Sequence, residues 1–168
     1  MKEFLIQNLK KKEVQLILAL IFAVWTSSVC AQSLSARDGW VVMPTNKPYA
    51  ALIKDVVAAV KANKMGVVTQ AGPTGAAKKR GITIPGNRVI GVFNNIYAVR
   101  IINLNTAAMI EAPVRMYVTE NPDDTATLSY KTPTMVFSPY FEESDPDLSV
   151  AARELDAIFL SIADQAVN

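Results

Sequence analysis

The chain has 168 residues and a formal net charge of +2, and it contains no histidine and one cysteine. These absences exclude a Ser-His-Asp triad, a Cys/His zinc site and a disulfide within the chain. Asp, Glu, Lys and Tyr are left as the groups for acid–base chemistry. We therefore expect no metal site and no cofactor, and we assign no catalytic residue.

Residues 1–31 are predicted to be a secretory signal peptide. A leader with four lysines precedes an uncharged apolar run at residues 14–25, and small residues follow it. The run is shorter than the roughly 20 residues that a membrane span needs, although an uncleaved anchor is the rival interpretation. We expect cleavage after Ala31, or after Ala36 as second choice. The mature protein would be periplasmic or secreted, and would meet the membrane only before cleavage.

The net charge belongs to the leader, which carries four lysines and two glutamates. Residues 32–168 are therefore neutral overall. Binding to nucleic acid depends mainly on neutralising phosphates, so a neutral domain is a poor candidate for it. We expect no nucleic-acid partner, and the remaining length predicts a single domain.

The first half of this domain is predicted to alternate strands and helices. A short strand at residues 40–45 precedes a helix that starts near Asn46 and Pro48 and ends at Gly66. A second strand, a turn with a short helix and a third strand follow, at residues 66–70, 72–81 and 87–95. Two helical segments, at residues 96–105 and 106–111, complete this half.

The second half is predicted to contain a hairpin and a long helix. Alternating residues at 114–120 and 125–131 flank a turn, which indicates two antiparallel strands. Val114, Met116 and Val118 should share one face, with Arg115 and Tyr117 on the other. The next strand should place Ala126, Leu128 and Tyr130 together. Residues 132–141 contain two prolines and are predicted to be a loop or edge segment.

The C-terminal segment is predicted to be one long helix. Asp145 is the expected N-cap with Pro146 next to it, and apolar residues recur at helical spacing from Leu148 to Ile162. The order of elements predicts an α+β fold. A mostly antiparallel sheet should be covered on one face by helices.

The chain resembles a bacterial family called domain of unknown function 302 in three stretches: GAAKKRGITIPGNRVIGVFNN (75–95), AAMIEAPVRMYVTE (107–120) and ATLSYKTP (126–133). The resemblance implies a TATA-binding-protein-like arrangement of sheet and helices, with a homodimer as one arrangement. It implies no activity. The family's Gly-Asn-Pro-x-x-Gly-Thr run is replaced at residues 94–97, so no role of those glycines carries over.

Arg100 is the one charged residue between Val89 and Ile110. An arginine keeps its charge, so a buried one needs hydrogen-bond acceptors. One source is internal, either Glu111 or Glu120, the nearest acids in sequence, or backbone carbonyls at a helix end. The other source is an anionic ligand or a partner chain.

Three functions stay open. The preferred one is an exported, non-enzymatic domain that binds a small molecule or acts as an accessory, with a pocket that includes Arg100, Asn94, Tyr130 and Glu111. The second is a homodimeric interaction or structural subunit of a periplasmic system. The third, an enzyme that uses Arg, Tyr and Glu, is favoured least because the usual nucleophiles are absent.

Overall fold

The structure is a computed structural model, and it describes residues 34–168. The predicted signal peptide and the junction after Ala31 lie outside the described residues. Five strands form one sheet, in the order β1-β5-β4-β3-β2, and every neighbouring pair is antiparallel. The strands are β1 (Trp40–Pro48), β2 (Gly66–Ala71), β3 (Asn87–Phe93), β4 (Val114–Glu120) and β5 (Thr125–Lys131).

The described part of the chain also contains five α-helices and two 3-10 turns. The helices are α1 (Tyr49–Ala62), α2 (Thr74–Lys79), α3 (Asn95–Leu104), α4 (Pro133–Phe137) and α5 (Asp147–Val167). The 3-10 turns span Ala107–Glu111 and Ser138–Tyr140. This order confirms the predicted α+β class with its long C-terminal helix. None of the helices within residues 34–168 is long and apolar enough to cross a membrane.

The core lies between one face of the sheet and helices α1 and α5. In β4, Val114, Met116 and Val118 are buried while Arg115 is exposed, which confirms the predicted register. Burying a side chain of this kind contributes about 1.5–3 kcal/mol. The same core includes these residues of α1, β3, β5 and α5: Leu52, Val56, Val60, Ile90, Val92, Ala126, Leu128, Leu155, Phe159 and Ile162.

The prediction that residues 132–141 are a loop or edge segment is wrong. Pro133–Phe137 form α4, and Ser138–Tyr140 form a 3-10 turn. The Thr132 side chain caps α4 by accepting a hydrogen bond from the Met135 N–H at 3.2 Å. Pro133 sits in the first turn, where a helix has no use for the missing N–H. The proline therefore starts a helix here instead of interrupting one.

The last helix begins at Asp147, which puts Pro146 and not the predicted Asp145 at its N-cap position, although the Asp145 side chain still contacts the first turn. The Asp145 carboxylate accepts a hydrogen bond from the Asp147 N–H at 2.9 Å. Pro146 lies between them, in the position that tolerates a residue without a donor. The helix boundary at Asp147 is thus within one residue of the predicted start, which is the usual uncertainty of a helix end.

Candidate functional site

A cleft of about 550 Å³ lies on the sheet face opposite helices α1 and α5. Val89 pairs with Tyr117 across β3 and β4, and Trp40 pairs with Lys131 across β1 and β5. Directly paired residues project from the same face of a sheet. All five strands border the cleft, through Trp40, Ala71, Asn87, Val89, Arg115, Tyr117 and Lys131.

The walls of the cleft are mainly apolar. Trp40, Val89, Tyr117 and Val136 border it, and each of these side chains is half-buried. Small-molecule sites are typically concave, mainly apolar and about 300–1,000 Å³ in volume, with a few polar groups that orient the ligand. The size and lining of this cleft therefore suit a small molecule with an apolar body.

Trp40 is held at one side of the cleft next to two cations. The guanidinium carbon of Arg37 lies 5.0 Å from the centre of its ring, and Lys131 Nζ lies 5.8 Å from it. Both distances fall in the range of cation–π attraction. The preceding residue, Gly39, has φ +71°, and a side chain there would overlap Met135. This turn therefore fixes where Trp40 begins the strand.

The cations that line the cleft are Arg115 and Lys131, both exposed at the sheet surface. Among residues 34–168, salt bridges join Lys47 to Asp55 and Arg100 to Glu154, and neither Arg115 nor Lys131 belongs to one. Hydrogen bonds to ionised groups are roughly twice as strong as neutral ones. Two cations without an acidic partner in the described chain are therefore available to an anion.

Glu111 is the acidic residue of the cleft lining. Its Oε1 atom accepts a hydrogen bond from the Tyr140 hydroxyl at 2.9 Å. This bond is the main reason why the pKa of Tyr140 is raised above its ordinary value. The structure therefore places one anchored carboxylate in the same cleft as the two cations.

Tyr130 borders the cleft, but its side chain belongs to the core. The residue is 2% exposed, and its ring packs on Phe159 with 5.6 Å between ring centres. Burial raises the pKa of the Tyr130 hydroxyl to about 12. Of the four predicted site residues, Tyr130 and Glu111 thus border the cleft. The ring of Tyr130, however, packs in the core.

Asn94 lies away from the cleft and caps α3. Its Oδ1 accepts hydrogen bonds from the N–H groups of Ile96 at 2.8 Å and Tyr97 at 3.3 Å. Its Nδ2 donates to the Lys64 carbonyl at 3.0 Å. Asn94 borders a separate cavity of about 30 Å³, so its surroundings are those of a helix cap.

Arg100 is also distant from the cleft lining, and its partner is neither of the acids that we named. It pairs with Glu154 of α5 at 2.8 Å. Glu111 is engaged by Tyr140, and the Glu120 carboxylate accepts the Gly86 N–H at 2.6 Å. Sequence proximity misled the prediction because α3 packs against α5, which brings in a distant acid.

The predicted site residues do not include Trp40, Arg115 or Lys131, which border the cleft. The sequence pattern that indicates this face is the alternation of β4, which places Arg115 and Tyr117 on the face away from the core. The predicted helices covered one face and left the other open. Among residues 34–168, no group of three or more potential metal-binding side chains lies close enough together to hold a metal ion.

The fold and the sequence both have counterparts. The crystal structure of an uncharacterized conserved protein DUF302 from Bacillus stearothermophilus is similar, with a TM-score of 0.68 and 18% identity over 77% of this chain and 99% of that chain. At that identity the similarity shows the fold alone. No curated protein matches the chain. The family described as "Domain of unknown function DUF302" matches residues 41–164, which run from β1 to the last turns of α5. The chain therefore belongs to the DUF302 family.

Proposed function

We propose that this domain is a non-enzymatic binding module for a small molecule with an apolar body and an anionic group. The observation that carries the proposal is the cleft on the open face of the sheet. It combines apolar walls with two cations, Arg115 and Lys131, that have no acidic partner within residues 34–168.

The two parts of the ligand would be recognised by different forces. The walls at Trp40, Val89 and Val136 would remove its apolar surface from water, at about 25 cal/mol per Å². The Arg115 guanidinium offers a planar fork that suits a carboxylate or sulfonate, and Lys131 adds a point charge. A bound ligand also displaces water, which strengthens these charged contacts.

A pair of fluorescent probes tests the proposal. The first, 8-anilinonaphthalene-1-sulfonate, joins an aromatic body to one anion, and the second, N-phenyl-1-naphthylamine, has a similar body without the charge. Arg115→Gln and Lys131→Gln should each lower the affinity for the sulfonate probe about tenfold. This corresponds to about 1.4 kcal/mol for one charged contact. Affinity for the neutral probe should stay within about twofold in both variants.

The matched control is Lys54→Gln, which removes an exposed lysine from α1 on the other side of the sheet. Raising the salt concentration should lower the affinity for the sulfonate probe more than the affinity for the neutral probe, because salt screens exposed charges. Equal sulfonate affinity in the wild type and the Arg115→Gln/Lys131→Gln double variant would contradict the proposal.

We propose further that the domain is exported to the periplasm or secreted. The support is the basic leader and the apolar run before Ala31, since cleavage there releases a neutral single domain. The intact mass of the protein recovered from the extracytoplasmic fraction should correspond to a chain that begins at Gln32, or at Arg37 if the second site is used. Retention of residues 1–31 would contradict this.

A second candidate function is self-association through α3. Ile96, Val99 and Ile102 lie on neighbouring turns of this helix and are 78%, 51% and 44% exposed. The adjacent pair, Arg100 and Glu154, shows both signs of charge to solvent. A two-fold axis can therefore set the arginine of one copy against the glutamate of the other.

Sedimentation velocity over a range of concentrations tests this contact. Ile96→Glu and Val99→Glu should shift the protein toward monomer, because each buries a charge in an apolar interface. Val68→Glu is the matched control, since Val68 is 52% exposed but lies on the edge strand β2 and not on α3. A wild-type protein that stays monomeric at high concentration would exclude the dimer.

A further inference from the structure

We propose that Glu111 is a second recognition point in the cleft and selects ligands that carry a cationic group, such as an ammonium, besides the anion. This inference rests on the proposed function. It narrows the ligand class from an apolar anion to an apolar zwitterion.

The carboxylate of Glu111 is fixed at one of its two oxygens. Tyr140 donates to Oε1 at 2.9 Å. The backbone carbonyl of Tyr140 in turn accepts a hydrogen bond from the Ser144 hydroxyl. The 3-10 turn that ends at Tyr140 therefore positions Glu111, which itself closes the 3-10 turn Ala107–Glu111.

The second oxygen, Oε2, has no such partner in the described part of the chain, since no donor forms a hydrogen bond with it and no cation forms a salt bridge with it among residues 34–168. Glu111 and the cations Arg115 and Lys131 border the same cleft without pairing. The cleft therefore contains positive and negative side chains that do not pair with each other. A ligand that carries both charges can pair with both of them.

Glu111 would also discriminate against simple anions. A carboxylate that faces a bound anion across a water-poor cleft repels it, and an opposite charge on the ligand turns that repulsion into attraction. Selectivity of this kind uses both a favourable contact for the right ligand and an unfavourable one for its competitor. We therefore expect the zwitterion to bind about tenfold more tightly than the matching anion, which corresponds to one charged contact.

Two matched probes measure this preference in the full-length protein. Nε-dansyl-L-lysine carries an aromatic body, a carboxylate and an ammonium, and Nα-acetyl-Nε-dansyl-L-lysine lacks the ammonium. The wild type should bind the first about tenfold more tightly. Glu111→Gln should remove the difference by weakening the zwitterion, while its affinity for 8-anilinonaphthalene-1-sulfonate should be unchanged or higher, which also shows that the cleft is intact.

Tyr140→Phe tests the positioning role of the hydroxyl, and it should reduce the preference without affecting the acetylated probe. Glu142→Gln is the matched control, because Glu142 is an exposed acid close in sequence that does not border the cleft. Equal affinity of the wild type for the two dansyl probes, or a preference that survives Glu111→Gln, overturns the inference. If the wild type still binds the sulfonate probe in that case, the proposed function stands. If the wild type binds none of the three probes, both the proposed function and this inference are wrong.

Discussion

Arg100 of α3 and Glu154 of α5 form a salt bridge of 2.8 Å, although they are 54 residues apart in sequence. The same Glu154 oxygen accepts a hydrogen bond from the Tyr97 hydroxyl at 3.1 Å. The side chains of Arg100 and Glu154 are 34% and 43% exposed. The arginine inside an apolar run of sequence is thus held at the surface between two helices.

Arg100→Met should lower the free energy of unfolding by less than about 1 kcal/mol. Partly exposed ion pairs contribute about 0–1 kcal/mol, because water already solvates both charges. Urea denaturation of the two proteins measures the difference, and Glu154→Gln should give a similar value. A loss of 3–5 kcal/mol would instead mean that the change strands a buried charge.

Elements with a strict local period were predictable from the sequence. The bounds of β4 and β5 agree with the predicted segments, because alternation over seven residues leaves one register that buries Val114, Met116 and Val118. The apolar stripe from Leu148 to Ile162 likewise predicted α5. Local pattern decides these elements, so tertiary context adds little.

Features that depend on tertiary contacts were not predictable. The partner of Arg100 is set by the packing of α3 on α5, which no local pattern encodes. The cleft combines residues from Trp40 to Val136, and only the pairing of five strands brings them together. Helix α4 was missed because Pro133 has opposite meanings inside a helix and in its first turn.

Asn94→Ala should destabilise the protein by about 1 kcal/mol, within a range of about 0.5–2, because it removes the cap of α3. Binding of 8-anilinonaphthalene-1-sulfonate should be unchanged, since Asn94 does not border the larger cleft. Thermal melts and probe titrations provide both values. Asn95→Ala, at the first helical position, is the control. Lost probe binding in Asn94→Ala would support the ligand role that the sequence suggested.

Gly91→Ala should cost about 1–3 kcal/mol of stability through overpacking. A Cβ at Gly91 would overlap the Thr69 hydroxyl and lie 2.8 Å from Pro113 Cγ. Gly75→Ala is the matched control, because a Cβ there meets no atom within 4 Å and Gly75 lies in α2. Alanine favours a helix over glycine by up to about 1 kcal/mol, so that variant should be neutral or more stable. Chemical denaturation measures the stability of both variants. Equal changes in the free energy of unfolding would exclude the steric explanation.

Tyr130→Phe should make the protein less sensitive to alkaline pH. Burial, with the charges of Asp156 and Asp164, raises the pKa of Tyr130 to about 12 in the folded protein, against about 10 in the unfolded chain. The unfolded chain loses this proton first, so stability falls as pH rises from about 10 to 12. At pH 11 the loss from this group is about 1.4 kcal/mol. Urea denaturation at pH 8 and pH 11 should show a decline that is smaller by about this amount in the variant, and equal declines would contradict the assignment.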